Sequence, residues 1–143
     1  MSDVTPRIDF HTNIVDKVSY ACRLARKAYG ARGKLVLLAS DAAQAAALNT
    51  NLWTLGETDF LPHAMAGDAL APQSPIIVTD SLDGEFPHYD MLINLTQATP
   101  VQFERFQRVF EIISTDDADA AAGRKRYSAY KQQSYPLTHF VAA

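Results

Sequence analysis

The sequence predicts an α/β sandwich with a largely parallel central sheet. Two continuous apolar segments, residues 35–40 (LVLLAS) and 75–80 (PIIVTD), are typical of strands that helices cover on both faces. Segments with helical spacing of apolar residues alternate with such strands along the chain. This alternation favours parallel strands joined by helices. With 143 residues, 48% of them hydrophobic, the chain is long enough for one domain, residues 1–143, to bury its own core.

The first half of the chain contains two predicted strand-helix units. Residues 7–12 (RIDFHT) are expected to form the first strand, and Asn13 is placed to cap a helix that runs to about residue 29. Residues 35–40 are predicted to form the second strand. Either Ser40 or Asp41 is then expected to cap an alanine-rich helix that runs to about Trp53.

The second half continues the same alternation. Residues 75–80 and 90–95 (DMLINL) are predicted to be short buried strands joined by an acidic turn. A short helix near Phe103 and a strand at residues 108–114 (RVFEIIS) follow. The last helix is expected at residues 116–132.

Charge, cysteine content and hydropathy restrict the class of protein. The formal net charge of -3 provides no global basic field for duplex nucleic acid, although a local basic patch remains compatible with it. Cys22 is the one cysteine, so no intramolecular disulfide can form. No apolar run approaches the roughly 18 residues that a membrane helix needs, and the first residues lack the pattern of a secretory signal. We therefore expect a cytoplasmic protein.

Candidate catalytic motifs are weak. The GARGK segment at residues 30–34 lacks the spacing of a phosphate loop and lies between a predicted helix and a strand, whereas that loop leads from a strand into a helix. Asp80 ends a predicted strand and has Asp83, Glu85 and Asp90 nearby, which suits either a magnesium site or a solvated acidic turn. A metal- or nucleotide-dependent enzyme that uses these acids is one alternative to a binding protein.

The other reactive side chains have no spacing typical of a metal site or an active site. The four histidines are scattered and have no Cys or His at zinc-ligand spacing: His11, His63, His88 and His139. Cys22 lies on the apolar side of the first helix, where a packed thiol is expected rather than a nucleophile. We expect no catalytic residue, no metal and no cofactor.

Residues 52–68 (LWTLGETDFLPHAMAGD) combine large apolar side chains with glycine and acids, a pattern that fits neither a long helix nor a regular strand. Trp53 and Phe60 must find cover, because burying an aromatic side chain stabilises by a few kcal/mol. The core of the protein itself would supply that cover in the simplest case. The density of apolar groups within a polar rim also suits a partner-binding surface.

The last helix carries a second candidate surface. At 100° per residue, Arg124, Tyr127 and Lys131 share one face. Three alanines on the opposite face are expected to pack on the sheet: Ala118, Ala122 and Ala129. Acids at the start of the helix and bases near its end fit the macrodipole of any helix. The same face could equally bind a carboxylate through Arg124 and cover an apolar side chain with Tyr127.

An ordered set of motifs resembles the chi subunit family of bacterial DNA polymerase III. The set comprises FHT, VLLAS, LW, FLPH, AGD, INL and RKRYSAYK, which together span almost the whole chain. The resemblance implies a Rossmann-like three-layer sandwich with a mostly parallel sheet and no catalysis by this chain. It also implies two protein partners. These are the psi subunit of the clamp loader and the acidic, phenylalanine-terminated tail of single-stranded DNA-binding protein.

Residues of both expected partner sites follow from this resemblance. The LW and FLPH motifs are similar to the family's psi-binding surface and contain Trp53, Phe60, Leu61, Pro62 and His63.

The RKRYSAYK motif resembles the family's tail-binding helix. Arg124 would take the carboxylate of the tail and Tyr127 would pack on its apolar end, with Lys125 and Lys131 contributing positive charge. The chain departs from the pattern at Ser128, where the best-known members carry lysine. Lys125, Arg126 or Lys131 would have to compensate, or affinity would be lower.

The resemblance thus implies an adaptor that contacts nucleic acid only indirectly and associates with no membrane. A chi-like adaptor that has lost psi and binds another partner, such as a helicase, at Trp53 and Phe60 is a further alternative.

Overall fold

Seven strands and three helices form the described part of the chain, residues 5–54, 61–69 and 71–142, in the computed structural model. The strands are β1 (Arg7–Ile14), β2 (Leu35–Leu38), β3 (His63–Met65), β4 (Ile76–Thr79), β5 (Met91–Asn94), β6 (Arg108–Ser114) and β7 (Leu137–Val141). The helices are α1 (Lys17–Gly30), α2 (Ala42–Thr54) and α3 (Asp117–Gln132), and short 3-10 turns lie at Ala71–Gln73 and Phe103–Arg105.

The strands form one sheet in the order β3-β4-β2-β5-β6-β1-β7, and every pairing is parallel. Successive side chains of a strand point to opposite faces, so the sheet contributes to two apolar layers. Leu35 and Leu37 belong to the core cluster that contains residues of α1 and α2, whereas Val36 belongs to the cluster on the other face, which contains Tyr130 of α3. The predicted three-layer α/β sandwich with a mostly parallel sheet is confirmed.

The residue that caps the start of α1 differs from the predicted one, whereas the cap of α2 is one of the two predicted residues. The prediction that Asn13 caps α1 is wrong, because the cap is Asp16, whose carboxylate accepts from the backbone N–H of Ser19 at 3.1 Å. Asn13 instead lies at an irregularity in the register of β1 with β6, at a φ of 65° that asparagine tolerates. For α2, Asp41 is the cap and accepts from the backbone N–H of Gln44 at 2.8 Å.

The two strands that the sequence does not predict, β3 and β7, lie at the two edges of the sheet. Four of the five residues of β7 are exposed, so it lacks the apolar run that marks β2 and β4. β3 is only three residues long, with one of them buried, so it is too short for a recognisable apolar run.

The predicted packing of α3 is wrong. Ala118 and Ala129 are exposed and Ala122 is half-buried. The buried side chains of α3 follow a different helical row: Asp119, Gly123, Arg126 and Tyr130. Polar partners explain this row, since Arg126 and Tyr130 both meet the buried carboxylate of Glu111 on β6.

Gly123 sets how closely α3 approaches the sheet. A Cβ at this position would lie 2.8 Å from Cδ1 and 3.0 Å from Cγ1 and Cγ2 of Ile113. Such distances force a displacement of the helix or of the buried Ile113 side chain.

We predict that Gly123→Ala lowers the free energy of unfolding by about 1–2 kcal/mol, because overpacking outweighs the roughly 1 kcal/mol gain in helix propensity. Urea denaturation measures the effect. The matched control is Gly30→Ala at the end of α1, where a new Cβ meets nothing within 4 Å and stability should be unchanged or slightly raised. Equal stabilisation by both changes would show that α3 does not pack this closely.

Candidate functional site

A cavity of about 530 Å³ lies between α3 and the strands β1, β6 and β7. Its α3 side is formed by Ala120, Gly123, Arg124 and Tyr127. Parallel strands end at the same edge of a sheet, which is where ligands of open α/β sheets bind. The cavity opens at this edge, beside the ends of β1 and β6.

The interior of the cavity is apolar and aromatic. Phe10 and Ile113 are 2% and 3% exposed and project into it from β1 and β6. The ring of Tyr127 meets that of Phe10 edge-on, with ring centroids 5.1 Å apart, and lies 6.1 Å from the ring of His139 on β7. A planar or branched apolar side chain fits such a lining.

The rim of the cavity is polar and carries one cation. Arg124 is exposed and has no hydrogen bond or ion pair with any other described residue. Hydroxyl and amide groups complete the rim: Thr12, Asn13, Ser114 and Thr115. None of the described residues that line the cavity is acidic. A guanidinium above an apolar cavity is suited to a ligand that is both anionic and apolar.

The other predicted cations of α3 are arranged differently. Lys125 and Lys131 are exposed but do not line the cavity, and Ser128 is also exposed. Arg126 cannot compensate for Ser128, because its side chain is 4% exposed and pairs with Glu111 at 3.1 Å. Lys125 and Lys131 can therefore contribute only longer-range attraction.

Several residues of the cavity were missed by the sequence prediction. Thr12, Ser114 and Thr115 lie at or just after the ends of strands that were predicted, so the rule that parallel strands share a functional edge would have found them. His139 lies on β7, whose exposed sequence gave no strand pattern. Its imidazole Nε2 is hydrogen-bonded to the Thr12 hydroxyl at 2.8 Å, which joins β7 to β1 at the rim.

An ion pair fixes the amino-terminal end of α3 beside the cavity. The Asp119 carboxylate accepts from Lys17 of α1 at 3.1 Å and from the backbone N–H of Ser114 at 2.6 Å. Burial by itself raises the pKa of Asp119, but the Ser114 N–H and the Lys17 ammonium outweigh it and hold the pKa below its usual value. The charged carboxylate therefore stabilises the folded protein.

A second candidate surface lies at the end of α2. Trp53 is 56% exposed, and its ring meets that of His63 on β3 at a centroid distance of 4.9 Å. His63 is held in place through both ring nitrogens, which lie 2.7 Å from the Leu61 carbonyl oxygen and 3.0 Å from Oδ1 of Asn49. The core does not cover the Trp53 ring completely.

The remaining residues predicted for this surface have different environments. Pro62 and His63 are half-buried, and Leu61 is buried in the core cluster that contains residues of α2. Phe60 lies outside the described residues.

The acids considered for catalysis lie mostly at the surface. Asp80, Asp83 and Glu85 are exposed and Asp90 is half-buried. Within the described residues, no group of three or more His, Cys, Asp or Glu side chains could hold a metal ion. Burial raises the pKa of the Cys22 thiol to about 12, and its Sγ lies 3.7 Å from the Leu48 carbonyl oxygen, as expected of a packed thiol.

Comparison with known proteins identifies the family. The family model of the DNA polymerase III chi subunit, HolC, matches residues 5–138. The chain belongs to the DNA polymerase III chi subunit family. The chi resemblance of the sequence motifs is thereby confirmed.

Chi subunits from three bacteria illustrate the relationship. The DNA polymerase III subunit chi of Pseudomonas aeruginosa is 35% identical over 138 residues, which cover 92% of this chain and 93% of that protein. The chi subunit of Haemophilus influenzae is 28% identical over 82% of each chain. That of Escherichia coli is 23% identical over 81% of this chain and 79% of its own length. No helix among the described residues of this chi family member is long and apolar enough to cross a membrane.

We predict that Asp119→Asn lowers the free energy of unfolding at pH 7 by about 2–4 kcal/mol, because it leaves Lys17 without its buried partner. Because the pKa of Asp119 is lower in the folded chain than in the unfolded chain, its charge stabilises the fold at pH values above the unfolded pKa, near 3.9. This stabilisation is lost as the pH falls through the pKa of Asp119 in the folded chain. The difference from the native chain should therefore shrink in acid.

Urea denaturation at pH 7 and at stepwise lower pH measures this dependence. Asp117→Asn is the control, because Asp117 is an exposed carboxylate in the same helical turn, and should cost less than about 1 kcal/mol. A loss of stability at Asp119 that stays constant down to pH 2 would contradict the ion-pair account.

Proposed function

We propose that the chain is a non-catalytic, cytoplasmic adaptor of the bacterial DNA polymerase III holoenzyme. In this role it connects the clamp loader, through psi, to the C-terminal tail of single-stranded DNA-binding protein. Membership of the chi family supports a role in this holoenzyme. The observation that carries the tail-binding part is the apolar cavity with Arg124 at its rim, a cation that has no hydrogen bond or ion pair with any other residue that the structure describes.

The proposed recognition has three parts. The acidic segment of the tail is attracted by Lys125 and Lys131 on the exposed side of α3. The terminal phenylalanine enters the cavity and packs on Tyr127 and Phe10. The terminal carboxylate meets the Arg124 guanidinium, which can donate two parallel hydrogen bonds.

The size and polarity of the cavity suit this ligand. Ligand pockets are typically about 300–1,000 Å³ with mainly apolar linings and a few placed polar groups. A cavity of about 530 Å³ accommodates a terminal aromatic residue and part of its neighbour. An internal phenylalanine would lack the carboxylate that Arg124 requires, so the site selects the end of a chain.

Affinity for one tail should be modest. A disordered tail loses conformational freedom on binding, and a small contact of this kind typically reaches micromolar affinity, about 8 kcal/mol. Many tails on coated DNA raise the effective concentration. Weak single contacts would then suffice to hold the clamp loader at the template.

The Trp53 surface is the proposed contact with psi. A large aromatic ring that is 56% exposed and braced by His63 is typical of the anchors at the centre of protein interfaces. The surface would serve a helicase or another partner by the same chemistry.

We predict that Arg124→Ala weakens binding of an acidic peptide ending in phenylalanine at least tenfold, because one charge-assisted hydrogen-bonded pair is lost. Isothermal titration calorimetry measures the affinity. Amidation of the peptide should weaken its binding to the native chain as much as Arg124→Ala does. Amidation should hardly change binding to the Arg124→Ala variant, because the peptide carboxylate and the Arg124 guanidinium interact with each other.

Two matched variants locate the effect. Lys125→Ala removes a neighbouring exposed cation that does not line the cavity, and should change affinity by less than about threefold in a salt-sensitive way. Ser128→Lys should raise affinity modestly by restoring a positive charge. An amidated peptide that binds the native chain as tightly as the free acid would refute carboxylate capture.

We predict that Trp53→Ala abolishes capture of purified psi while lowering the free energy of unfolding by less than about 1.5 kcal/mol, because more than half of the ring is already in water. Size-exclusion chromatography of the mixed proteins measures capture, and thermal unfolding measures stability. Leu52→Ala, one residue earlier but 2% exposed, should instead cost about 2–5 kcal/mol. If Trp53→Ala binds psi as well as the native chain does, Trp53 is not part of the psi-binding surface.

A further inference from the structure

A second cavity lies on the opposite face of β1 and β7, against α1. It measures about 430 Å³ and is lined from β1 by Arg7, Asp9 and His11. Phe10 and Thr12, which alternate with them along β1, line the cavity beside Arg124 and Tyr127 instead, as the alternation of side chains along a strand requires. We call that cavity the tail cavity. Both cavities can therefore be occupied at the same time.

The lining of this second cavity concentrates positive charge on a chain whose formal net charge is -3. Four cations and one carboxylate line it: Arg7, Arg23, Lys27, Arg108 and Asp9. We call this cavity the basic cleft. The cations come from both walls of the cleft: Arg7 and Arg108 lie on β1 and β6. Arg23 and Lys27 lie on two successive turns of α1.

Much of the hydrogen-bonding capacity of these cations is unused. Arg7 and Arg108 each donate through Nε to the buried Asp9 carboxylate, at 3.0 and 2.6 Å. Their terminal guanidinium nitrogens, and Nζ of Lys27, have no hydrogen-bond partner among the described residues. Asp9 thus orients two arginines, and their outer donors remain for an anionic ligand.

An exposed aromatic ring lies at the same cleft. Phe140 on the edge strand β7 is 55% exposed, and its centroid lies 5.6 Å from that of His11. A basic groove with an accessible aromatic ring is the combination by which proteins bind single-stranded nucleic acid, with phosphates on cations and bases stacked on rings.

We propose that the basic cleft binds single-stranded DNA, with backbone phosphates on Arg7, Arg108 and Lys27 and a base stacked on Phe140. An acidic peptide is the less suitable ligand. The tail cavity has an apolar interior and one cation, whereas the basic cleft has four cations and an exposed aromatic ring, which match a polyanion of planar bases. The proposal concerns a different face from the tail site and does not depend on the proposed function.

The electrostatics of His11 provide an independent readout. Burial lowers the pKa of His11, Asp9 opposes this effect, and Arg108 and Lys27 lower the pKa further. The negative charge of a bound phosphate would oppose the effect of Arg108 and Lys27 on the pKa of His11. We therefore expect bound DNA to raise the pKa of His11.

The test is a fluorescence-anisotropy titration of the full chain with a labelled single-stranded oligothymidylate at low and moderate salt. We expect binding that weakens steeply with salt, as phosphate contacts require. Lys27→Glu should weaken binding about tenfold and reduce the salt dependence by about one ion. Phe140→Leu, which keeps an apolar side chain but removes the ring, should weaken it by about fivefold or more.

Lys34→Glu is the matched control. Lys34 is exposed, undergoes the same charge change and adjoins β2, three strands away from β1 in the sheet, so binding should change less than about twofold. Thermal unfolding verifies that each variant is folded.

Three results would overturn the proposal. The first is no binding of the oligonucleotide by the native chain at low salt. The second is an equal loss in Lys27→Glu and Lys34→Glu, which would indicate only a general effect of charge. The third is binding of an acidic peptide at the cleft, detected as a shift of the His11 resonance, without any such shift from DNA.

Discussion

The buried carboxylate of Glu111 is the interaction on which the position of α3 depends. It accepts from Arg126 at 3.2 Å, from the Tyr130 hydroxyl at 2.8 Å and from Asn94 at 2.9 Å. Burial raises the pKa of Glu111, and these three partners oppose that effect by stabilising the charged form. A buried acid of this kind is tolerated only while its partners stay in place, so the network fixes both the rotation and the height of α3 on the sheet.

That rotation places the side chains of α3 that we propose to be functional. With Arg126 and Tyr130 directed at Glu111, Tyr127 faces Phe10 and Arg124 stands at the rim of the tail cavity. The opposite side of β1 and β7 carries the basic cleft, where another buried acid, Asp9, orients Arg7 and Arg108. Buried carboxylates thus orient arginines on both faces of the sheet: Glu111 pairs with Arg126, and Asp9 pairs with Arg7 and Arg108. The arginines of α3 have separate roles, since Arg126 is bound inside and Arg124 remains available.

The sequence was sufficient for the fold class because the central strands are continuous apolar runs, such as β2 and β4, and the long helices follow them. The sequence also predicted that Arg124 and Tyr127 share one face of α3, and both residues line the tail cavity. It did not reveal which face of α3 is buried, because Asp119 and Arg126 are residue types normally found at the surface. Only the tertiary partners Lys17 and Glu111 explain their burial. The sequence also did not predict the edge strand β7 or its residues in the two cavities, because β7 is mostly exposed and has no apolar run.

The most direct test of the tail-binding account is an NMR titration of the ¹⁵N-labelled chain with an acidic peptide ending in phenylalanine. If the tail binds in this cavity, the largest amide shifts should cluster around it, at Gly123, Arg124, Tyr127 and His139. Trp53, on the opposite side of the sheet, should be unaffected. Shifts that cluster instead at Trp53 and His63, or along the basic cleft, would contradict it.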